Sequence, residues 1–82
     1  MKVVFVASAE KELLSLETSL RERIFNKIMT LATSPYPQGS QKLGGSSGYR
    51  IRIGTYRVIY LVNKETKIIT IIRIAHRREV YR

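Results

Sequence analysis

The sequence has no cysteine and no aspartate, and it has one histidine among its 82 residues. Without cysteine there is neither a disulfide nor a thiolate metal site. The six acids are all glutamates, and four of them precede residue 23, in a stretch with helical spacing. Scattered glutamates do not supply the converging carboxylates of two-metal phosphodiester chemistry or the acid pair of a glycosidase. One histidine beside them is also a poor basis for a zinc site, so we expect no metal and no cofactor.

Long apolar runs are missing as well, since none approaches the roughly 18 residues that a membrane span needs. The stretch Met1–Val6 is too short for a signal peptide and is soon followed by polar residues. We therefore expect a cytoplasmic protein without membrane contact. The length allows one domain, residues 1–82, with a small core.

Positive charge is abundant, with 15 Lys and Arg against six acids and a net charge of +9. Residues 49–82 hold nine of these cations and two glutamates, which gives a net +7 in a region with regular apolar patterning. Such a field attracts polyanions, of which nucleic acid is the commonest. A solvated basic surface that serves only solubility is the alternative.

Apolar spacing predicts an α+β fold of one strand, two helices and three strands. Lys2–Val6 is β-branched and predicts a strand, and Ser8 is the expected cap of the first helix. Ser19 and Glu22 have the form of a capping box for a second helix. That helix has its apolar stripe at Leu20, Ile24, Ile28 and Leu31, with Phe25 and Ala32 beside it, and its polar side at Arg21, Arg23 and Lys27.

After a loop over residues 34–48, the apolar period becomes two. Tyr49–Ile53 and Tyr56–Val62 alternate, and Ile68–Ile74 is nearly continuous, as in a strand that is covered on both faces or central in the sheet. We expect an antiparallel helix hairpin packed on a mainly antiparallel four-stranded sheet, in the order β-α-α-β-β-β.

A two-residue turn at Gly54-Thr55 sets the register of the strand pair around it. It places Arg52 opposite Arg57 and makes Arg50 a diagonal neighbour of Arg57, on the face away from the helices. Like charges directly opposed cost up to about 1 kcal/mol. Guanidinium groups match phosphate oxygens two at a time, so the cluster predicts an anion site. Arginines that splay into water are the alternative.

The last residues add further candidates. His76 is the one side chain whose ordinary pKa lies near 7, and it could act as general base or acid. Tyr81 could stack on a base or donate a proton, and Arg77 and Arg78 extend the basic region. The alternatives are an ordinary surface histidine, a tyrosine that packs on the sheet and solvated arginines.

Four segments of the sequence form a recognisable combination: Ala9-x-x-x-Leu13, Leu43-Gly44, Tyr49-Arg50-Ile51-Arg52-Ile53-Gly54-x-Tyr56-Arg57-Val58-Ile59-Tyr60 and Ile74-Ala75-His76-Arg77-Arg78-Glu79-Val80-Tyr81. Together they resemble the RelE/ParE superfamily of bacterial toxins, nearer its RelE branch, over essentially the whole chain.

The resemblance implies an mRNA endoribonuclease that works in the ribosomal A site, without metal, by attack of the RNA 2′-hydroxyl. By position in the family, Arg57 and Arg77 would clamp the scissile phosphate, and Tyr81 would orient the substrate or help to move a proton. We take Arg57, Arg77, His76 and Tyr81 as catalytic candidates and Arg50, Arg52, Arg73 and Arg78 as RNA-binding candidates. The implied partners are a protein antitoxin, the ribosome and mRNA, with operator DNA bound only through the antitoxin.

One departure from the family bears on the mechanism. Better-known RelE toxins have lysines where this chain has Arg50 and Arg52, and arginine is a poor general base because it stays protonated. The base would then be His76 or Tyr81, or the removal of the proton would be only weakly assisted. Two other functions stay open: a ParE-like inhibitor of DNA gyrase without nuclease activity, and a basic module that only binds nucleic acid or an antitoxin.

Overall fold

The computed structural model describes residues 1–45, 48–76 and 78. It contains two helices on one face of a sheet, which confirms the α+β prediction. The elements are β1 (Lys2–Phe5), α1 (Ala7–Leu14), α2 (Thr18–Thr30), β2 (Gln41–Lys42), β3 (Gly48–Ile53), β4 (Tyr56–Asn63) and β5 (Ile68–His76).

The sheet has the strand order β1-β5-β4-β3-β2, with β1 parallel to β5 and the other neighbours antiparallel. The described residues thus form five strands, one more than the four predicted. The additional strand, β2, has only two residues, Gln41 and Lys42, which pair with Arg50 and Tyr49. Two polar residues cannot display an apolar alternation, so the sequence pattern gave no sign of this strand.

The predicted helix caps are wrong. The residue before α1 is Val6, which makes no side-chain cap, so Ser8 lies inside the helix. At α2 the cap is Glu17, whose carboxylate accepts the backbone N–H groups of Ser19 and Leu20 at 2.9 and 3.3 Å. These hydrogen bonds, those from Ser19 above all, lower the pKa of Glu17. Residues 15–17 separate α1 from α2, so Ser19 lies inside α2. It donates hydrogen bonds to the cap residue Glu17 and is not itself the cap.

The core lies between the two helices and the sheet, and α2 faces it with the predicted apolar stripe. Ile24, Ile28 and Leu31 are fully buried, whereas Phe25 is 41% exposed on the outer side of the helix. The sheet side of the core is formed by Ile51, Ile53, Val58, Tyr60, Val62, Ile69, Ile71 and Ile74.

A β-bulge in β5 explains its continuous apolar run. Ile59 pairs with Arg73, but the next residue, Tyr60, pairs with Ile71, so Ile72 is the extra residue. The bulge shifts the alternation by one, so that Ile71 before it and Ile74 after it both reach the core. β5 also lies between β1 and β4, as expected for a strand inside the sheet.

Tyr60 gives the fold a testable dependence on alkaline pH. It is fully buried, its hydroxyl donates to the Pro35 carbonyl at 2.8 Å, and burial raises its pKa to about 12. In the unfolded chain the pKa is about 10. The tyrosine therefore stabilises the fold fully below about pH 10, and that contribution is lost as pH rises towards 12, by up to roughly 3 kcal/mol.

We expect Tyr60→Phe to lower the free energy of unfolding by about 1 kcal/mol near neutral pH, because the hydrogen bond is lost. The deficit should shrink or reverse between about pH 10 and 12, where ionisation of the hydroxyl in the unfolded chain favours unfolding of the wild type only. Urea unfolding at several pH values measures both effects. Tyr36→Phe, at a tyrosine that is 41% exposed, is the control. A deficit that does not change with pH would contradict the prediction.

Candidate functional site

The hairpin between β3 and β4 has the predicted register. Gly54 takes φ +61°, a conformation that glycine adopts without strain. The strands pair as Ile53 with Tyr56, Arg52 with Arg57, Ile51 with Val58 and Arg50 with Ile59. The anion-site prediction depended on this turn, so its geometric premise is met.

The three arginines of this hairpin lie on the sheet face away from the helices, because the alternate residues Ile51, Ile53 and Val58 belong to the core. Arg52 is exposed and Arg50 is half-buried, whereas Arg57 is only 5% exposed. The Arg50 guanidinium donates to the side-chain oxygen of Gln41 in β2. We call Arg50, Arg52 and Arg57 the arginine cluster.

The sheet places the cluster in two rows across the strands. One row runs Arg52–Arg57–Ala75, and the other runs Arg50–Ile59–Arg73. The stretch from β3 through β4 contains no acidic residue, so no glutamate alternates with these arginines in the strand pair. The rows therefore place guanidinium groups at fixed spacing on one face of the sheet, with Arg57 buried between the others.

The basic surface continues around the sheet edge onto α2, which the sequence pattern did not reveal. A cavity of about 460 Å³ is lined by Arg23 and Lys27 of α2 together with Arg52 and Gly54. A second cavity, of about 340 Å³, is lined by Lys27, Arg52 and Arg50 among others. Lys27 and Arg52 border both cavities, so the two openings are adjacent. Spacing predicts that Arg23 and Lys27 face away from the core, but only the fold brings them to β3.

His76 does not join the arginine cluster. It pairs with Tyr56 across the strands, and the two rings meet edge-to-face with centroids 5.5 Å apart. Tyr56 packs against the core, so His76 lies on the helix-facing side of the sheet, opposite the arginines. Its Nδ1 accepts the backbone N–H of Arg78 at 3.4 Å, which leaves the proton of the neutral ring on Nε2.

The family model for the ParE toxin of the type II toxin–antitoxin system parDE matches residues 3–81. A Methanocaldococcus jannaschii protein whose assigned name is toxin RelE1 is 37% identical over an alignment of 76 positions, which covers 88% of this chain and 84% of that protein. The RelE toxin fold in an archaeal RelE–RelB complex from Pyrococcus horikoshii matches with a TM-score of 0.83 and 33% identity, over 93% of each chain. The E. coli RelBE toxin–antitoxin complex matches with a TM-score of 0.81 and 25% identity, over 92% of this chain and 94% of that one.

The chain belongs to the RelE/ParE superfamily of type II toxins. It is RelE-like, since the relative and the two structures just described are RelE proteins, although the family model is described as ParE. The expected family is confirmed.

The structure describes only two of the four remaining predicted site residues of the toxin. Arg73 shares the face of the arginine cluster, but its Nε lies 3.7 Å from a carboxylate oxygen of Glu12. Arg78 is exposed beyond the end of β5. Arg77 and Tyr81 lie outside the described residues. Within the described part of the toxin no group of three metal-ligating side chains occurs, and no helix is long and apolar enough to cross a membrane.

The sequence pattern did not point to Glu12. In the structure its carboxylate binds the backbone near the end of β5, the strand that carries His76. Strand β1 pairs with β5 only as far as Ile71. Beyond that point the carboxylate of Glu12 in α1 accepts the backbone N–H of Ile74 at 2.9 Å. A helix side chain thus replaces the missing strand neighbour.

We expect Glu12→Ala to reduce the free energy of unfolding by about 1–3 kcal/mol, because the Ile74 N–H loses its acceptor. Glu12→Gln keeps an acceptor oxygen and should cost less than half as much. Urea unfolding of the two variants measures the difference. Equal losses in both would show that the charge opposite Arg73, rather than the hydrogen bond, is what Glu12 contributes.

Proposed function

We propose that this toxin is an mRNA endoribonuclease that cleaves in the ribosomal A site without a metal ion and thereby inhibits translation. The observation that carries the proposal is the pairing of Arg52 with Arg57, beside Arg50, on the sheet face away from the helices. Guanidinium groups match phosphate oxygens two at a time, so the cluster suits an RNA phosphate. The RelE-like family is the second support.

The proposed reaction needs little from the protein because the nucleophile belongs to the RNA. The 2′-oxygen forms a bond to the adjacent phosphorus while the bond from phosphorus to the 5′-oxygen of the next nucleotide breaks. A base takes the proton of the 2′-hydroxyl, and an acid gives a proton to the departing 5′-oxygen. The products end in a 2′,3′-cyclic phosphate and a 5′-hydroxyl.

Negative charge on the phosphate oxygens grows in the transition state, and fixed cations stabilise it. We assign this role to Arg57 and Arg77, and RNA binding to Arg50, Arg52, Arg73 and Arg78. Proton transfer is assigned to His76 and Tyr81. Since Nδ1 of His76 accepts the Arg78 N–H, Nε2 is the ring nitrogen left to contact the RNA. Since His76 lies across the sheet from the cluster, it would act only on RNA that passes the sheet end.

A protein antitoxin is the proposed partner in the cytoplasm. The solved structures that resemble this chain include complexes of RelE with RelB. An acidic or amphipathic segment would complement the arginine cluster, and operator DNA would be bound only through the antitoxin.

The decisive experiment is cleavage of an mRNA on ribosomes with an empty A site, mapped by primer extension. We expect cuts within the A-site codon whose products carry a 2′,3′-cyclic phosphate and a 5′-hydroxyl. Products with a 3′-hydroxyl and a 5′-phosphate would contradict attack by the 2′-hydroxyl. The cleavage rate of His76→Ala against wild type tests the histidine, since a side chain that transfers a proton contributes about 10²–10⁴-fold to the rate.

Inhibition of DNA gyrase is the second candidate function, because the family model that matches is described as ParE. A supercoiling assay separates the two. Folded, antitoxin-free toxin that inhibits gyrase and leaves ribosome-bound mRNA intact would replace the nuclease proposal. Toxin that does neither would indicate a module that only binds.

A further inference from the structure

We propose that Arg23 and Lys27 of α2 form a second RNA-binding surface, which holds backbone phosphates outside the reacting nucleotide. This inference rests on the proposed function, since it names RNA as the ligand. The phosphates come either from the mRNA beside the cut or from ribosomal RNA, and the experiment below distinguishes these sources.

The first argument is the position of the two side chains. Arg23 lies over the β3–β4 turn, where its guanidinium is 3.4 Å from the point at which a Cβ on Gly54 would sit. Lys27, one helical turn further on, borders both cavities with Arg52. The α2 cations therefore continue the arginine cluster around the sheet edge in one unbroken strip.

The second argument is uncompensated charge. Arg23 and Lys27 are four residues apart on one helix side, where like charges cost about 0.2–0.5 kcal/mol. No glutamate lies three or four residues from either of them along α2. Arg21 differs, because Glu17 lies four residues before it and the two charges interact. Arg21 therefore has an acidic neighbour at helical spacing, whereas Arg23 and Lys27, which lie beside the arginine cluster, have none.

The third argument is the chemistry of the lining. The described residues around the two cavities are cationic, neutral polar or apolar, and none is acidic. Amide side chains from Asn26, Gln38 and Gln41 lie between the cations. Cations interspersed with neutral donors on an open surface suit a flexible polyanion such as an RNA strand.

The test compares Arg23→Gln/Lys27→Gln with the control Lys2→Gln/Lys11→Gln, which removes the same charge. Lys2 lies in β1 at the opposite edge of the sheet, and Lys11 is exposed on α1. Binding is measured on ribosomes whose mRNA has 2′-O-methyl groups in the A-site codon, which prevents cleavage. A second set of ribosomes carries mRNA that ends at the P-site codon. Thermal unfolding checks that both variants fold.

We expect the α2 variant to bind about tenfold more weakly than wild type, with the slope of log affinity against log salt reduced by about 1–1.5. The control should change the affinity less than twofold. A loss confined to ribosomes with full-length mRNA assigns the phosphates to the messenger, and a loss on both sets assigns them to ribosomal RNA. Equal effects of variant and control would overturn the inference.

Failure of the proposed function gives a different result. If wild-type toxin binds neither set of ribosomes, the nuclease proposal fails, and the surface is then tested on a free single-stranded oligoribonucleotide. There the α2 variant should again lose affinity and salt dependence relative to the control. Equal binding of variant and control to the free RNA would overturn the second surface as well.

Discussion

Replacing Arg57 with methionine is expected to reduce mRNA cleavage by about 10²–10³-fold while leaving the protein folded. Arg57 is 5% exposed, at the centre of the row that runs from Arg52 to Ala75. A fixed cation on a transferring phosphate contributes about 10²–10³ to the rate. Methionine fills a similar volume without charge, so the substitution removes the guanidinium and leaves no large cavity.

The stability of Arg57→Met should change much less than its activity. The variant loses the contacts of the guanidinium but relieves its repulsion with Arg52, which is worth up to about 1 kcal/mol. We expect the free energy of unfolding in urea to fall by no more than about 1 kcal/mol. Single-turnover cleavage on ribosomes measures the rate, and Ile59→Val, at a neighbouring position on the same face, is a control.

Arg57→Lys separates charge from geometry. Lysine keeps the positive charge but cannot hold two phosphate oxygens in a fork. Partial activity, between wild type and methionine, is expected. Full activity in Arg57→Met would remove Arg57 from the catalytic candidates and leave charge stabilisation to Arg77.

The arginine cluster was predictable from sequence because a single turn fixes it. Gly54-Thr55 is a two-residue loop, and strand alternation then determines which residues face each other. The stripe of α2 was predictable for the same kind of reason, since Ile24 and Ile28 repeat at the helical period. Both are local rules, and the structure follows both.

The features that sequence reasoning missed depend on contacts between distant parts of the chain. β2 exists because two polar residues meet β3, and Glu12 caps β5 across 62 positions of sequence. Arg23 reaches Gly54 only because α2 packs on the sheet. None of these contacts produces a periodic pattern in the sequence.

The sheet face on which His76 lies could not be predicted from the sequence, because a bulge interrupts the alternation of side chains along β5. Simple alternation along Ile68–Ile74 gives the strand one phase throughout. The extra residue Ile72 reverses that phase, so the residues after it face the opposite side from the one that counting predicts. The bulge puts His76 with Tyr56 and leaves Ala75 beside Arg57. Counting along the strand alone could not assign a face to the histidine.

Ile51→Ala should be the most destabilising of the substitutions considered, with a loss of about 2–5 kcal/mol in the free energy of unfolding. Ile51 is 2% exposed and packs in the core, while its neighbours Arg50 and Arg52 point to the other face of β3. A domain of this size has roughly 4–12 kcal/mol to lose. Ile51→Val removes one methylene and should cost only about 0.5–1.5 kcal/mol.

The same pair of variants tests whether the core acts on the site only through folding. In that case cleavage by Ile51→Ala, corrected for its folded fraction from urea unfolding, should match that of Ile51→Val and wild type at low temperature. A lower corrected rate would mean that the lost core contact moves Arg50 and Arg52. The position of those guanidinium groups, and not only their presence, would then limit the reaction, since small misplacements of catalytic groups reduce rates strongly.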